Sequence, residues 1–294
     1  MDIVMLGHSR AGKTSFMTAM YESVTHGVGG FSVRAERPED HRVLLRNARR
    51  LRNGQYPLLG DRRTVYRLNL LYDHAPVLAF SWRDYRGGAL TEDSRSPQAA
   101  ELRADVAAAT GLVLVVDSTE LTGGPRAVAR IRPLVATALR SASERSDPLA
   151  LVIALTKWDL VQPAQARSAA NRVLGDLISA VRASPHVHGA LVPVACGRTP
   201  LNVVQPALWC LYVGLAVRAW SLQRSVEELQ NTALLARSRD TWWDRVKAVI
   251  TGEPAWNRIA ASALRSAEAE AELLRPLIVP GQRLETLLDP VEKF

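Results

Sequence analysis

The chain has 294 residues, 47% of them hydrophobic and 22% charged, which is enough apolar material for a sizeable core and an ordinary share of charge for a globular protein. Its net charge of +8 invites a nucleic-acid or membrane-surface role, but the basic residues are mostly arginine and are spread along the chain, so no nucleic-acid partner is expected. Cys196 and Cys210 are too few for a disulfide framework, no signal peptide precedes the first apolar run, and the longest such run, Ala207 to Val217, is too short to span a bilayer; a soluble cytoplasmic protein without a transmembrane segment is expected.

In chain order, Ile3-Val4-Met5-Leu6 reads as a buried strand and Ser15 to Thr25 as a helix, with Gly7-His8-Ser9-Arg10-Ala11-Gly12-Lys13-Thr14-Ser15 between and into it. Strand, G-x-x-x-x-G-K-T and helix in that order are what a phosphate-binding loop requires. The glycines permit a tight turn whose N–H groups point into one concavity, and the helix adds its amides and positive dipole end. Lys13 then reaches the β- and γ-phosphates and the Thr14 hydroxyl ligates Mg²⁺.

After a Gly27–Gly30 break come a short strand at Phe31–Arg34 and a helix from Pro38 through Arg52, ended by Asn53-Gly54. The five arginines between Arg42 and Arg52 read at least as well as the solvated face of that helix as a nucleic-acid contact. Thr64 to Leu71 alternates like a half-buried edge strand, Val77 to Trp82 like an inner one, and the turn Asp73–Pro76 makes them an antiparallel hairpin. Then strands and helices alternate: strand Gly111–Asp117, helix Pro125–Glu144, strand Leu149–Leu155, helix Pro163–Arg182, strand Leu191–Ala195, and a long helix from about Val203. Such alternation implies a parallel sheet covered on both faces, with ligands beyond the carboxyl ends of its strands. After about Ser238 two helical stretches, Thr241–Ile250 and Pro254–Leu274, precede an ill-defined, Pro-interrupted Pro276–Phe294. The expected division is a nucleotide-binding domain over 1–235, with a 27–63 insert, and a helical C-terminal extension over 236–294.

Two further motifs fall at strand ends. Asp84-Tyr85-Arg86-Gly87 is a D-x-x-G: its carboxylate can hold Mg²⁺ through water, and the Gly87 N–H can meet a γ-phosphate. Thr156-Lys157-Trp158-Asp159 offers an Asp that accepts two parallel hydrogen bonds from the guanine N1 and N2 donors, while the Lys157 stem can cover one face of the base.

Together these motifs resemble the translation-factor-related class of P-loop GTPases over about residues 1–225. Pro193-Val194-Ala195-Cys196 looks like a variant of that class's P-V-S-A segment, whose backbone contacts guanine. Asn53 to Pro57 and Trp82 to Gly88 look more specifically like bacterial double-GTPase domains of conflict and signalling operons. The resemblance implies a three-layer α/β nucleotide domain, GTP/GDP and Mg²⁺ as ligands, and a nucleotide-dependent switch with GTP hydrolysis. It implies nucleotide contacts from Gly7 through Ser15 and from Thr156, Lys157, Asp159, Ala195 and Cys196. Metal contacts fall to Thr14, Asp84 and a switch threonine, for which Thr64 is the candidate and a plain strand residue the alternative.

The sequence departs from the class in two places. Gly88 stands where small GTPases carry the water-orienting Gln, so hydrolysis is expected to be slow, and a non-hydrolysing GTP sensor or scaffold is the competing reading. Arg10 occupies a loop position at which guanylate-binding proteins carry an internal arginine finger; it either bears transition-state charge with Lys13 and Gly87 or faces solvent and merely attracts nucleotide. His8 reads as structural or phosphate-adjacent. The Gly27–Arg63 insert is expected to be mobile and to order on GTP binding. A protein effector or regulator is expected at Gly27–Arg63, Asp84–Pro97 and the C-terminal helices, and self-assembly is open.

Overall fold

Ile3, Val4, Met5 and Leu6 are all buried, as are all residues of Gly111–Asp117 and Leu149–Thr156. Continuous apolar strands of this kind belong in the middle of a parallel sheet with both faces covered. A computed structural model of the chain has that architecture. It describes residues 1–56, 63–85, 96–143, 147–238 and 255–294.

The strands are β1 (Asp2–Leu6), β2 (Phe31–Ala35), β3 (Thr64–Tyr72), β4 (Ala75–Asp84), β5 (Gly111–Asp117), β6 (Leu149–Thr156), β7 (Val187–Pro193) and β8 (Glu292–Lys293). The helices are α1 (Lys13–Thr25), α2 (Pro38–Arg52), α3 (Pro97–Ala108), α4 (Ser118–Leu121), α5 (Pro125–Ser143), α6 (Pro163–Ala183), α7 (Gln205–Ser238) and α8 (Ala255–Leu287). The eight strands form one sheet in the order β2-β3-β4-β1-β5-β6-β7-β8, with helices on both sides. The run β4-β1-β5-β6-β7 is parallel; β2 and β3 extend it antiparallel on one side, and β8 on the other. Leu112, Leu114, Val116, Leu151, Ile153, Ile131, Leu134, Leu174 and Leu177 form the centre of one core layer under α5 and α6.

Several elements differ from the expectation. β3 is not an edge strand: β2 pairs with it, Phe31 opposite Tyr72 through Ala35 opposite Leu68. The alternation in β3 reflects a sheet face left half-covered, not a free edge. Within the 27–63 insert, β2 joins the sheet, and Leu44, Ala48 and Leu51 bury one face of α2. Helix α3 was not expected, although Ser96, whose side chain accepts from Ala99 N, and Pro97 at the first helical position are a helix-start signal. α8 runs through Pro276 and Pro280, each of which removes a backbone donor; burial of Leu277 and Leu284 along it, and of Leu288 just past its end, offsets that cost. The helix expected at Thr241–Ile250 lies outside the described residues.

The chain divides into two compact units, Met1–Gly214 with Arg283–Phe294, and Leu215–Gln282. The last residues rejoin the first unit through β8, where Gly189 and Phe294 exchange backbone hydrogen bonds at 3.1 Å. No helix among the described residues is long and apolar enough to cross a membrane.

Candidate functional site

Because β4, β1, β5, β6 and β7 run parallel, their carboxyl ends gather along one edge of the sheet, and Gly7, Asp84, Asp117, Thr156 and Pro193 stand there. The loop after β1 is forced close to β5: a Cβ on Gly7 would lie 2.7 Å from the Val115 carbonyl oxygen. Gly12 takes φ +92°, and Arg10, exposed, also takes a left-handed φ of 67°. Helix α1 starts without any side-chain cap at Gly12, so the N–H groups of its first turn are left for a ligand. Ser9 is exposed, Ala11 is buried, and Thr14 and Ser15 are partly buried on the first turn. Lys13, 8% exposed, curls back to donate to the carbonyls of Gly7 (2.7 Å) and His8 (3.1 Å). Burial lowers its pKa, and the Asp84 charge works against that shift.

Asp84 ends β4 opposite Met5 of β1 and Thr64 of β3. Its Oδ1 is shielded from solvent and makes no hydrogen bond. Burial pushes the carboxyl up to about 6 despite the pull of Lys13. Thr64, opposite it, is exposed. Gly87 and Gly88 lie outside the described residues. Asp105 of α3 is buried and receives Arg63 (2.6 Å) and the two chain neighbours of Asp84, Arg83 and the Tyr85 hydroxyl, while Arg63 also pairs with Glu101 at 2.8 Å.

The loop after β6 is tied directly to the loop after β1. The buried Thr156 hydroxyl donates to the Ala11 carbonyl at 2.6 Å and lies 3.2 Å from that of Val116. Lys157 is left-handed, φ 56°, and its Nζ pairs with Asp117 Oδ2. Asp159 sits exposed in a 3-10 turn, Trp158–Leu160, which is held to the β7 loop by Trp158 N donating to Val194 O at 3.2 Å. Ala195, buried, bridges to Leu201. Burial and the Asp159 charge push the Cys196 thiol up to about 12, so it stands there as a neutral, small side chain.

Asp117 and Glu120 carried no sequence-based role, yet they complete the site. Asp117 Oδ1 accepts from Thr119 N (2.9 Å) and its hydroxyl (2.7 Å), which leaves Oδ2 for Lys157. Glu120 lies 2.9 Å from His8 Nε2 and accepts from Arg130 at 2.9 Å, while His8 Nδ1 is 2.6 Å from Ser9 O. His8, Asp117 and Glu120 thus bring potential ligand atoms within 4.8 Å of one another, with Lys157 and Arg130 balancing the two carboxylates. The readable signal was positional: Asp117 ends a parallel strand.

No protein-family profile matches the chain, and no curated protein sequence does. Among solved structures it is similar to an ADP-ribosylation-factor-like GTP-binding protein, the small COPII coat GTPase Sar1 of Encephalitozoon cuniculi in complex with GDP (12% identity, TM-score 0.34, covering 66% of this chain and 69% of that one). It is also similar to Sup35 complexed with GDP (14%, 0.33, 68% and 38%) and to translation elongation factor SelB of Methanococcus maripaludis with the GTP analogue GppNHp (12%, 0.32, 66% and 29%). The chain spans well under half of the latter two.

Proposed function

We propose that this protein binds GTP and GDP and acts as a switch with slow Mg²⁺-dependent GTP hydrolysis. The observation that carries the reading is the Thr156–Ala11 hydrogen bond, which joins the candidate base-binding loop to the candidate phosphate loop in one site. The uncapped start of α1 and Lys13 would hold the phosphates, with Lys13 leaving its loop carbonyls for the β- and γ-oxygens. Asp159 would select guanine, with the backbone at Ala195 and Cys196 beside it. The orphaned Asp84 Oδ1 fits a hydrated Mg²⁺, which Thr14 and Thr64 would help to hold. Bound there, Mg²⁺ would neutralise charge on the phosphate oxygens. Lys13, Gly87 and Arg10 are the candidate catalytic groups, Arg10 being exposed beside the loop and free to swing inward.

The missing side chain at Gly88 favours a second reading, a GTP sensor or scaffold without useful turnover. Single-turnover assays of GTP and ATP separate the two. GTP-selective hydrolysis that falls roughly 10³-fold or more in Arg10→Ala supports the enzyme with its own finger. Tight GTP binding without turnover supports the sensor, and equal use of ATP overturns the guanine assignment. Asp159→Asn should move preference towards xanthine nucleotides. A rise in rate with protein concentration would support self-assembly, and nucleotide-dependent pull-downs would test an effector at Gly27–Arg63, Asp84–Pro97 or the C-terminal helices. The reading extends to the cytoplasm, in keeping with only two cysteines, and to bacterial double-GTPase-type signalling or conflict systems, which the Asn53–Pro57 and Trp82–Gly88 sequences resemble; fractionation and operon context test the two.

A further inference from the structure

Helix α2 separates its residues cleanly by side. Leu44, Ala48 and Leu51 are buried, at spacings of four and three that keep them on one face. At roughly 100° per residue, Arg42, Arg46, Arg49 and Arg50 fall on the opposite face, and all four are exposed. Among the described residues none of the four makes an ion pair or a side-chain hydrogen bond, whereas Arg52, off that stripe, is paired with Glu22 at 2.8 Å. The acid on that side, Glu39, sits at the helix start, where the dipole favours it. Four guanidiniums, none of them in an ion pair among the described residues, therefore line about 12 Å of one helix edge.

From this we infer that the outward face of α2 docks the phosphate backbone of a nucleic acid. From sequence alone the cluster reads equally as a solvated face; the added observation is that its charges are aligned and unpaired. A repeating polyanion matches a row of fixed cations, and arginine, with five donors in a rigid fork, is suited to phosphate oxygens. A membrane surface fits less well, because the apolar face of α2 is the buried one and Val43, 42% exposed, is the large apolar residue left outside. A protein partner fits less well for the same reason, since the centre of such an interface is apolar. Tyr56, 65% exposed and just past the helix end, supplies a ring on which an unpaired base can stack.

The test uses the full chain, with fluorescence anisotropy of a labelled 20-nucleotide single-stranded RNA and a 20-base-pair DNA duplex across salt concentrations. Poly-glutamate and phosphatidylserine vesicles serve as competing polyanions. Four phosphate contacts predict a log–log salt slope of about −3 on the single strand or −4 on the duplex, with Kd in the ~10⁻⁴–10⁻⁶ M range near physiological salt. Arg46→Gln alone should reduce the slope by about 1, and replacing all four arginines by Gln should weaken binding at least tenfold. Gln matches Arg in helix propensity, so an unchanged thermal midpoint in the single variant confirms an intact fold. The inference is overturned by no binding at low salt, by unchanged binding in the four-residue variant, or by equal competition from poly-glutamate or vesicles. Tighter binding to the single strand and loss in Tyr56→Ala would identify the strand form. None of these outcomes depends on the guanine-nucleotide reading.

Discussion

Burial lifts the Asp84 carboxyl from its ordinary 3.8 to about 6, against the pull of Lys13. The folded state therefore holds this proton more tightly than the unfolded chain, and the stability it contributes at low pH is lost as pH rises from 3.8 to about 6. The gap converts to roughly 3 kcal/mol. At Asp2, burial also pushes upward but is outweighed by Ser81 and Arg83, so its contribution has the opposite sign. The informative quantity is thus the difference between variants: Asp84→Asn should gain on the parent in urea unfolding between pH 4 and pH 7, and an unchanged difference would place the charge elsewhere. The proposed Mg²⁺ site at Asp84 calls for the ionised carboxylate, so Mg²⁺-dependent nucleotide binding should strengthen across the same interval. Arg10 separates strain from chemistry in a similar way. Its left-handed backbone costs on the order of 1 kcal/mol, so Arg10→Gly should raise the melting temperature by about 2–4 °C while lowering any turnover it supports.

At the scale of elements, the candidate phosphate loop is the most legible part because its strand, its loop and its helix agree locally. Gly7 is required by β5, which no local pattern reveals: Gly7→Ala would drive a Cβ into the Val115 carbonyl and should cost at least 1–3 kcal/mol, read as a lower denaturation midpoint. Thr156→Val keeps the shape but leaves the Ala11 carbonyl without its 2.6 Å donor; a loss of ~1–3 kcal/mol is expected, together with weaker guanine-nucleotide binding in calorimetry. The motifs after β4 and β6 were legible because each sits at the end of an apolar strand. The features without a local signature depend on partners far apart in sequence. Glu120 becomes meaningful only when α4 brings it to His8, Asp105 only when α3 brings it to Arg63 and Tyr85, and β3 loses its apparent edge only because β2 folds back from residue 31. Helix α3 was within reach, since Ser96-Pro97 is a local signal; the prolines of α8 pointed the wrong way because buried leucines on the same helix outweigh them.

The molecule as a whole is threaded so that its first compact unit is finished by its last residues. Leu284 and Leu288 are fully buried, Gly189 has no room for a Cβ against the Phe294 ring, and Arg167 pairs with Glu292 at 3.3 Å. Each such leucine contributes about 1.5–3 kcal/mol, a large fraction of ordinary stability. A chain cut back to residue 235 should consequently be insoluble or melt far below the intact protein, and Gly189→Ala should reproduce part of that loss without shortening anything. Both ends of the 215–282 excursion are anchored in the same unit. A protease that nicks the chain once inside that excursion would leave two polypeptides holding one another by non-covalent contacts, the β7–β8 pairing and the buried leucines among them. They would elute together under native conditions and part only in denaturant, making the protein a natural candidate for splitting into complementing halves.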